Sequence, residues 1–206
     1  MRNGFDFLAP FYDILAGIVF GKTIKRSQIA FLTQIRPGDN ILLLGGGTGW
    51  ILTELFQAEN NIKVTYVDSS RSMIQLAKQK LDKDNMDKVE FINASYRNIE
   101  LKEKYRIVFT PFFLDMFDLE EVQHILARFK DVLSSDGIWL VADFTNSKSL
   151  TNTMLLKIMY QFFRNLCGIK AEKLVNFDLI FKEMGFKKEM KGEYYNQMIQ
   201  SVAYYI

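Results

Sequence analysis

Apolar residues in this chain follow two alternating patterns. Ile41-Leu42-Leu43-Leu44 is a short continuous apolar run ended by glycines, as expected for a strand buried on both faces of a parallel sheet. Lys63 to Val67, Val89 to Asn93, Tyr105 to Thr110 and Ile138 to Val141 read as further short strands. Between them the apolar period lengthens to that of a helix. Trp50 to about Glu59 predicts one helix. Asp68-Ser69-Ser70 can cap a second, which runs to about Leu81 with Met73, Ala77 and Leu81 on one face. A third spans Leu119 to Leu133, with Leu119, Val122, Leu126, Phe129 and Leu133 at core spacing, and Ser134 to Gly137 reads as a turn. A last helix near Asn176 to Met184 ends at Gly185 and precedes two strand-like stretches, the clearer being Ser201 to Ile206. Five strands alternating with helices predict parallel βαβ units and an open, doubly wound α/β sheet.

Two segments outside this alternation are unusually apolar. Residues 5 to 35 read as helical and close on the turn Arg36-Pro37-Gly38-Asp39, and Leu150 to Leu166 carries an apolar face too wide for an ordinary surface helix. They predict a helical cap over about 1–36 and a helical insertion at about 146–172 on a single domain, 1–206. The chain is 49% hydrophobic, enough for one core. The 26 lysines and arginines nearly balance 24 aspartates and glutamates, so nucleic acid is not the expected partner. One cysteine, Cys167, and one histidine, His124, leave no intramolecular disulfide and no expected metal site. The apolar run Ile14 to Phe20 is too short to span a bilayer, so no transmembrane segment is expected and the cytoplasm is the expected location.

The strongest chemical signal is Gly45-Gly46-Gly47-Thr48-Gly49, between a predicted buried strand and a helix, where backbone amides converge on a ligand. The second is Asp68, at the end of the next strand and near the spacing expected of a carboxylate that grips ribose hydroxyls. Together they specify a nucleoside. A dinucleotide fingerprint starting at Gly45 requires glycine or alanine where Trp50 stands, and starting at Gly47 it meets Leu52. No lysine follows the loop, which removes the phosphate-binding P-loop. A nucleoside without a phosphate chain fits best, ahead of NAD.

Ile41 to Gly49 resembles the first motif of the class I S-adenosylmethionine-dependent methyltransferases, and Val64 to Met73, Phe91 to Ile99, Tyr105 to Phe117 and Val132 to Phe144 resemble the later segments in order. The resemblance covers about residues 37 to 145. It implies a Rossmann-like sheet of about seven strands, mostly parallel with an antiparallel C-terminal strand and helices on both faces. It implies S-adenosyl-L-methionine as cofactor, held by Gly45, Gly46, Gly47, Thr48, Gly49, Asp68, Ser69, Met73, Ser95, Tyr96 and Thr110. Two positions depart from the family pattern: Leu43, where many relatives carry an acid, and Ser95, where an aspartate often meets the adenine amine. Tyr12-Asp13 with Phe20-Gly21 resembles the N-terminal segment of the ubiquinone and menaquinone C-methyltransferase branch, which implies a small, partly hydrophobic acceptor.

Methyl transfer from a sulfonium is an in-line displacement, so such a protein mainly aligns the nucleophile and excludes water. No metal or triad is needed, and an oxygen or acidic carbon nucleophile gains from a positioned base. Asp115, Tyr12 and Asp143 are the candidates; His124 falls beside the core stripe of its helix and is given no role. The greasy segments are read in two ways: as a roof over a pocket for a small lipophilic or aromatic acceptor, or as packing on the core or on a second copy in a homodimer. The alternative class is a non-catalytic nucleoside-binding or protein-interaction module, which would retain the cofactor without turning it over.

Overall fold

The computed structural model describes residues 4–101, 103–147, 149–169, 171 and 173–206. Residues 1–3 of the expected cap and residues 148, 170 and 172 of the expected insertion lie outside the described residues. Seven strands form one sheet: β1 (Asn40–Leu44), β2 (Lys63–Asp68), β3 (Val89–Asn93), β4 (Tyr105–Pro111), β5 (Leu133–Phe144), β6 (Lys187–Tyr194) and β7 (Ile199–Tyr205). Their order is β3-β2-β1-β4-β5-β7-β6. The first five are parallel, and β7 pairs antiparallel with both β5 and β6. This is the expected mixed sheet, with β7 as its reversed strand. The order turns back between β1 and β4, which opens a crevice at their carboxyl ends.

Strand alternation divides the core into two layers. Ile41 and Leu43 cluster with Ile51, Leu52 and Leu55 of α3 (Trp50–Ala58) and with Ile74 and Ala77 of α4 (Arg71–Lys80). Leu42 and Leu44 belong to the opposite layer, with Val122, Leu126 and Phe129 of α5 (Leu119–Lys130) and Phe181 of α7 (Phe177–Glu183). Both faces of the sheet are thus covered, which is why β1 reads as a continuous apolar run.

Three boundaries differ from the sequence reading. The expected helix over 5–35 breaks into α1 (Gly4–Phe20), α2 (Thr23–Ile29) and a 3-10 turn at Leu32–Gln34, with a bend of 98° between α1 and the segment Thr23–Gln34. Gly21 causes the break: at φ +58° it takes the left-handed conformation that ends a helix, and its N–H reaches back to the Gly17 carbonyl at 2.9 Å. The helix expected to reach Leu133 stops at Lys130, and Leu133 instead pairs with Tyr105 as the first residue of β5. The turn expected at Ser134 to Gly137 is a bulge within β5, because Leu133 and Ile138 pair with Tyr105 and Ile107, only two residues apart on β4. Among the described residues no single helix is long and apolar enough to cross a membrane.

Candidate functional site

At the end of β1 the chain turns through Gly45 to Gly49 into α3, and β2 supports that turn from beneath. A Cβ at Gly46 would lie 2.3 Å from the Tyr66 ring, so only glycine lets the loop sit down on it. The Tyr66 hydroxyl donates to the Gly47 carbonyl at 2.6 Å. Gly47 has φ +61° with open space where a Cβ would project, and its N–H donates to Asp68 Oδ2 at 3.0 Å. Asp68 Oδ1 accepts from the Ser70 N–H at 2.8 Å. Burial pushes the Asp68 carboxyl up to about 6 against the pull of these two amides, and Asp6 adds a smaller push. Each carboxylate oxygen has two acceptor positions, so a place on each remains for a ligand hydroxyl.

A cavity of about 420 Å³ opens above this loop. Of the eleven residues expected to hold the cofactor, Gly45, Gly47, Asp68, Ser69, Met73, Ser95 and Tyr96 line it. Gly46 and Thr48 line an adjoining pocket of about 110 Å³. Gly49 lies beneath, where a Cβ would come 2.4 Å from that of Ala77, so it sets the approach of α3 to α4. Thr110 is not brought to the cavity. It is fully buried, accepting from Trp139 Nε1 at 3.1 Å, because strand alternation turns it into the core layer. Of the two departures, Leu43 is fully buried in the α3 layer rather than at the cavity, and Ser95 Oγ accepts from the Arg97 N–H at 3.4 Å.

Helix α1 lies across the loop as a roof. Asp6 Oδ1 accepts from Ser70 Oγ at 2.7 Å and from the Ser72 N–H at 3.0 Å. Asp13 accepts from Thr48 Oγ1 at 2.8 Å and pairs with Lys80 Nζ at 2.6 Å. The start of α1 rests on α6 (Leu150–Cys167), where Phe5 stacks on Phe163 with ring centroids 6.2 Å apart.

Between α1 and α6 lies a second cavity of about 280 Å³ with apolar walls such as Leu15, Phe20, Phe144, Leu155 and Met159. It shares Phe5, Tyr12, Phe112, Met116 and Ile169 with the first, so the two chambers meet at a common wall. Phe112 sits in that wall at φ +50°, a strained conformation for a bulky residue, held by its N–H to the Ala142 carbonyl at 2.7 Å. The resemblance of Tyr105 to Phe117 to a family segment covers this stretch without singling out Phe112, and the signal was present in the bulky Phe112-Phe113 pair that follows Pro111.

The three base candidates gather around this second chamber. Tyr12 lines both cavities, Asp115 lines the apolar one, and Asp143 lies fully buried behind it. Asp143 accepts from the N–H groups of Leu114 at 3.0 Å, Asp115 at 3.3 Å and Phe144 at 2.8 Å. Tyr160 donates to the Asp115 carbonyl at 3.2 Å, with Asp115 Oδ2 at 3.4 Å. Among the described residues no donor reaches Asp115 Oδ1. Burial raises both carboxyls, and for Asp143 the neighbouring Asp115 adds to the rise. Two such groups side by side in an apolar site hold one charge and one proton between them. Burial, then Asp115, pushes the Tyr12 phenol well above its ordinary range, which favours its protonated form.

A methyltransferase-domain family profile matches residues 41–137. The chain is 31% identical over 162 residues to the carboxy-S-adenosyl-L-methionine synthase of Nautilia profundicola, covering 76% of this chain and 67% of that protein. It is 28% identical over 145 residues to the ubiquinone/menaquinone biosynthesis C-methyltransferase of Francisella tularensis subsp. novicida, covering 68% of this chain and 58% of that one. A Nostoc punctiforme structure provisionally assigned as an O-methyltransferase shares the fold, with TM-score 0.71, 18% identity, and coverage of 89% of this chain and 56% of that one. The chain therefore matches only part of the length of each of these relatives.

Proposed function

The chain belongs to the S-adenosylmethionine-dependent methyltransferases, and on that premise we propose that it methylates a small lipophilic or aromatic metabolite held in the apolar chamber beside the cofactor cavity. The observation that carries this reading is the common wall: a cavity with a carboxylate and a glycine loop meets an apolar one at Tyr12, Phe112 and Met116. The larger cavity fits the cofactor. Asp68 offers acceptor places to a ribose diol, Ser95 and Tyr96 flank the space expected for adenine, and open space at Gly47 leaves the loop backbone accessible. S-adenosylmethionine, when bound, supplies a methyl group already activated on a sulfonium. The chain's part is to align the acceptor, keep water out with the α1 and α6 side chains, and receive a proton.

The Asp115 and Asp143 pair suits that last task. Asp143 is anchored by three amides, Asp115 borders the chamber, and a pair carrying one charge can take the proton that an acceptor hydroxyl gives up as its oxygen gains the methyl group. The test is formation of S-adenosylhomocysteine with phenols bearing alkyl chains of increasing length. Burying each added methylene in the chamber predicts a rise in kcat/KM of about fourfold until the space is filled. A flat or falling series, with turnover of short polar acceptors instead, would remove the lipophilic acceptor while leaving the family assignment intact.

A further inference from the structure

The roof presents to solvent a surface that the chemistry of the two cavities does not use. On α1, Phe7, Phe11, Ile14 and Ile18 form an outward stripe at helical spacing, with Phe7 70% and Ile18 76% exposed. On α6, Leu150, Met154, Ile158 and Phe162 repeat every fourth residue, with Leu150 87% exposed. Both acids of α1 are engaged with the body of the protein, Asp6 at Ser70 and Ser72 and Asp13 at Thr48 and Lys80, so no acid lies on the outward stripe. So much exposed apolar surface on adjacent helices marks a contact face.

Charge identifies what the face meets. The chain as a whole is nearly balanced, but its distribution is not. From Ile14 to Gly38 the sequence has Lys22, Lys25, Arg26 and Arg36 and no acid; from Phe144 to Ala171 it has Lys148, Lys157, Arg164 and Lys170 and no acid. Lys22, Lys25, Arg26 and Lys157 are exposed. Two copies meeting through this face would bring the exposed Lys22, Lys25, Arg26 and Lys157 of each together, whereas an apolar stripe with these cations and with its half-exposed acid, Asp13, already paired to Lys80 complements an anionic lipid surface. Leu15, Val19, Ile158 and Phe162 are both exposed and part of the apolar chamber's wall, so the chamber borders this face directly.

We propose that the protein docks on an anionic lipid bilayer through the outward faces of α1 and α6, laying the apolar chamber against the membrane. The docking face stands on its own observations; the idea that the acceptor enters from the bilayer rests on the acceptor reading above. The test is co-sedimentation of the whole chain with vesicles of phosphatidylcholine mixed with phosphatidylglycerol, and with vesicles of phosphatidylcholine alone. Binding is expected to the anionic vesicles and to weaken with added salt. Ile14→Glu/Ile18→Glu is expected to abolish it, and Lys22→Glu/Arg26→Glu to weaken it by at least about 25-fold, at roughly fivefold for each basic residue lost. S-adenosylmethionine titration and circular dichroism on the same variants show that they are folded, and they report the cofactor site independently. Failure of the folded wild-type protein to sediment with anionic vesicles overturns the proposal. So does equal binding to neutral vesicles that the charge reversal leaves unchanged. A dimer in light scattering that Ile14→Glu/Ile18→Glu converts to monomer, without vesicle binding, would assign the face to a second copy instead.

Discussion

The cofactor cavity and the apolar chamber share a wall but are built by opposite means. In the first, backbone does the positioning: the amides of Gly47 and Ser70 fix Asp68, and glycine is required where the loop sits on Tyr66. In the second, apolar side chains from two helices outside the matched family segment set the shape, and polar groups enter mainly at Tyr12, Tyr160 and Asp115. Backbone sites tolerate few sequences and leave motifs, while many combinations of leucine, methionine and phenylalanine would make a similar chamber. Changing the apolar side chains of α1 and α6 would reshape the second chamber without altering the glycine loop or Asp68.

The sharpest way to break the contrast is at the boundary. Asp115→Asn removes the group that shares a proton with Asp143 but leaves the glycine loop untouched. Loss of a positioned base predicts a fall in kcat of roughly 10²–10⁴ with unchanged affinity for S-adenosylmethionine. Single-turnover S-adenosylhomocysteine formation beside calorimetric titration separates the two. A fall in cofactor affinity as large as the fall in rate would mean that the two chambers are not separable.

The converse change is Asp68→Ala. Two hydrogen bonds to a charged acceptor, each contributing about 1.5–3 kcal/mol, predict a loss of cofactor affinity on the order of 100-fold or more, measured by calorimetry. The same carboxyl sets a pH dependence. Its folded value of about 6 lies above the ordinary 3.8 because of burial, so below pH 6 it is increasingly protonated and accepts ribose hydroxyls less well. Affinity should be level above pH 7 and fall about tenfold by pH 5, and Asp68→Asn should abolish that slope. The stability effect has the opposite sense. A raised carboxyl favours the folded state when protonated, so its contribution is lost as pH rises from the ordinary carboxylate value through 6.

Thr110 shows how far sequence reading reached. The strand containing it, the mixed sheet implied by the family and the glycine loop were legible, because burial on both faces writes continuous apolar runs and tight turns write glycine. Which way a side chain points at a strand end was not. Thr110 and Phe112 lie two residues apart, and the irregular turn at Phe112, with its positive φ, brings Phe112 to the wall while Thr110 faces Trp139. Helix ends failed for a similar reason: Leu133 fits a helical period and a strand pairing equally well, and only its contact with Tyr105 decides. Thr110→Val tests the placement. Leaving the buried Trp139 N–H unpaired should cost about 1–3 kcal/mol of stability in denaturant unfolding with no change in cofactor affinity. A selective loss of affinity would return Thr110 to the cofactor site.

The smallest effect expected is at the roof's edge. Lys80 pairs with Asp13 at 2.6 Å, but their side chains are 34% and 46% exposed, and pairs in such settings contribute about 0.2–1 kcal/mol. Asp13 also accepts from Thr48 Oγ1, within the glycine loop, so the aspartate and not the lysine links α1 to the cofactor site. Lys80→Ala should therefore lower the unfolding free energy by less than about 1 kcal/mol and leave cofactor affinity unchanged, while Asp13→Ala should weaken both. A double-mutant cycle of Asp13→Ala with Thr48→Val, read in cofactor affinity, isolates the link. Additive effects would mean that the roof covers the loop without holding it, and a coupling confined to this pair would make α1 a working part of the donor site.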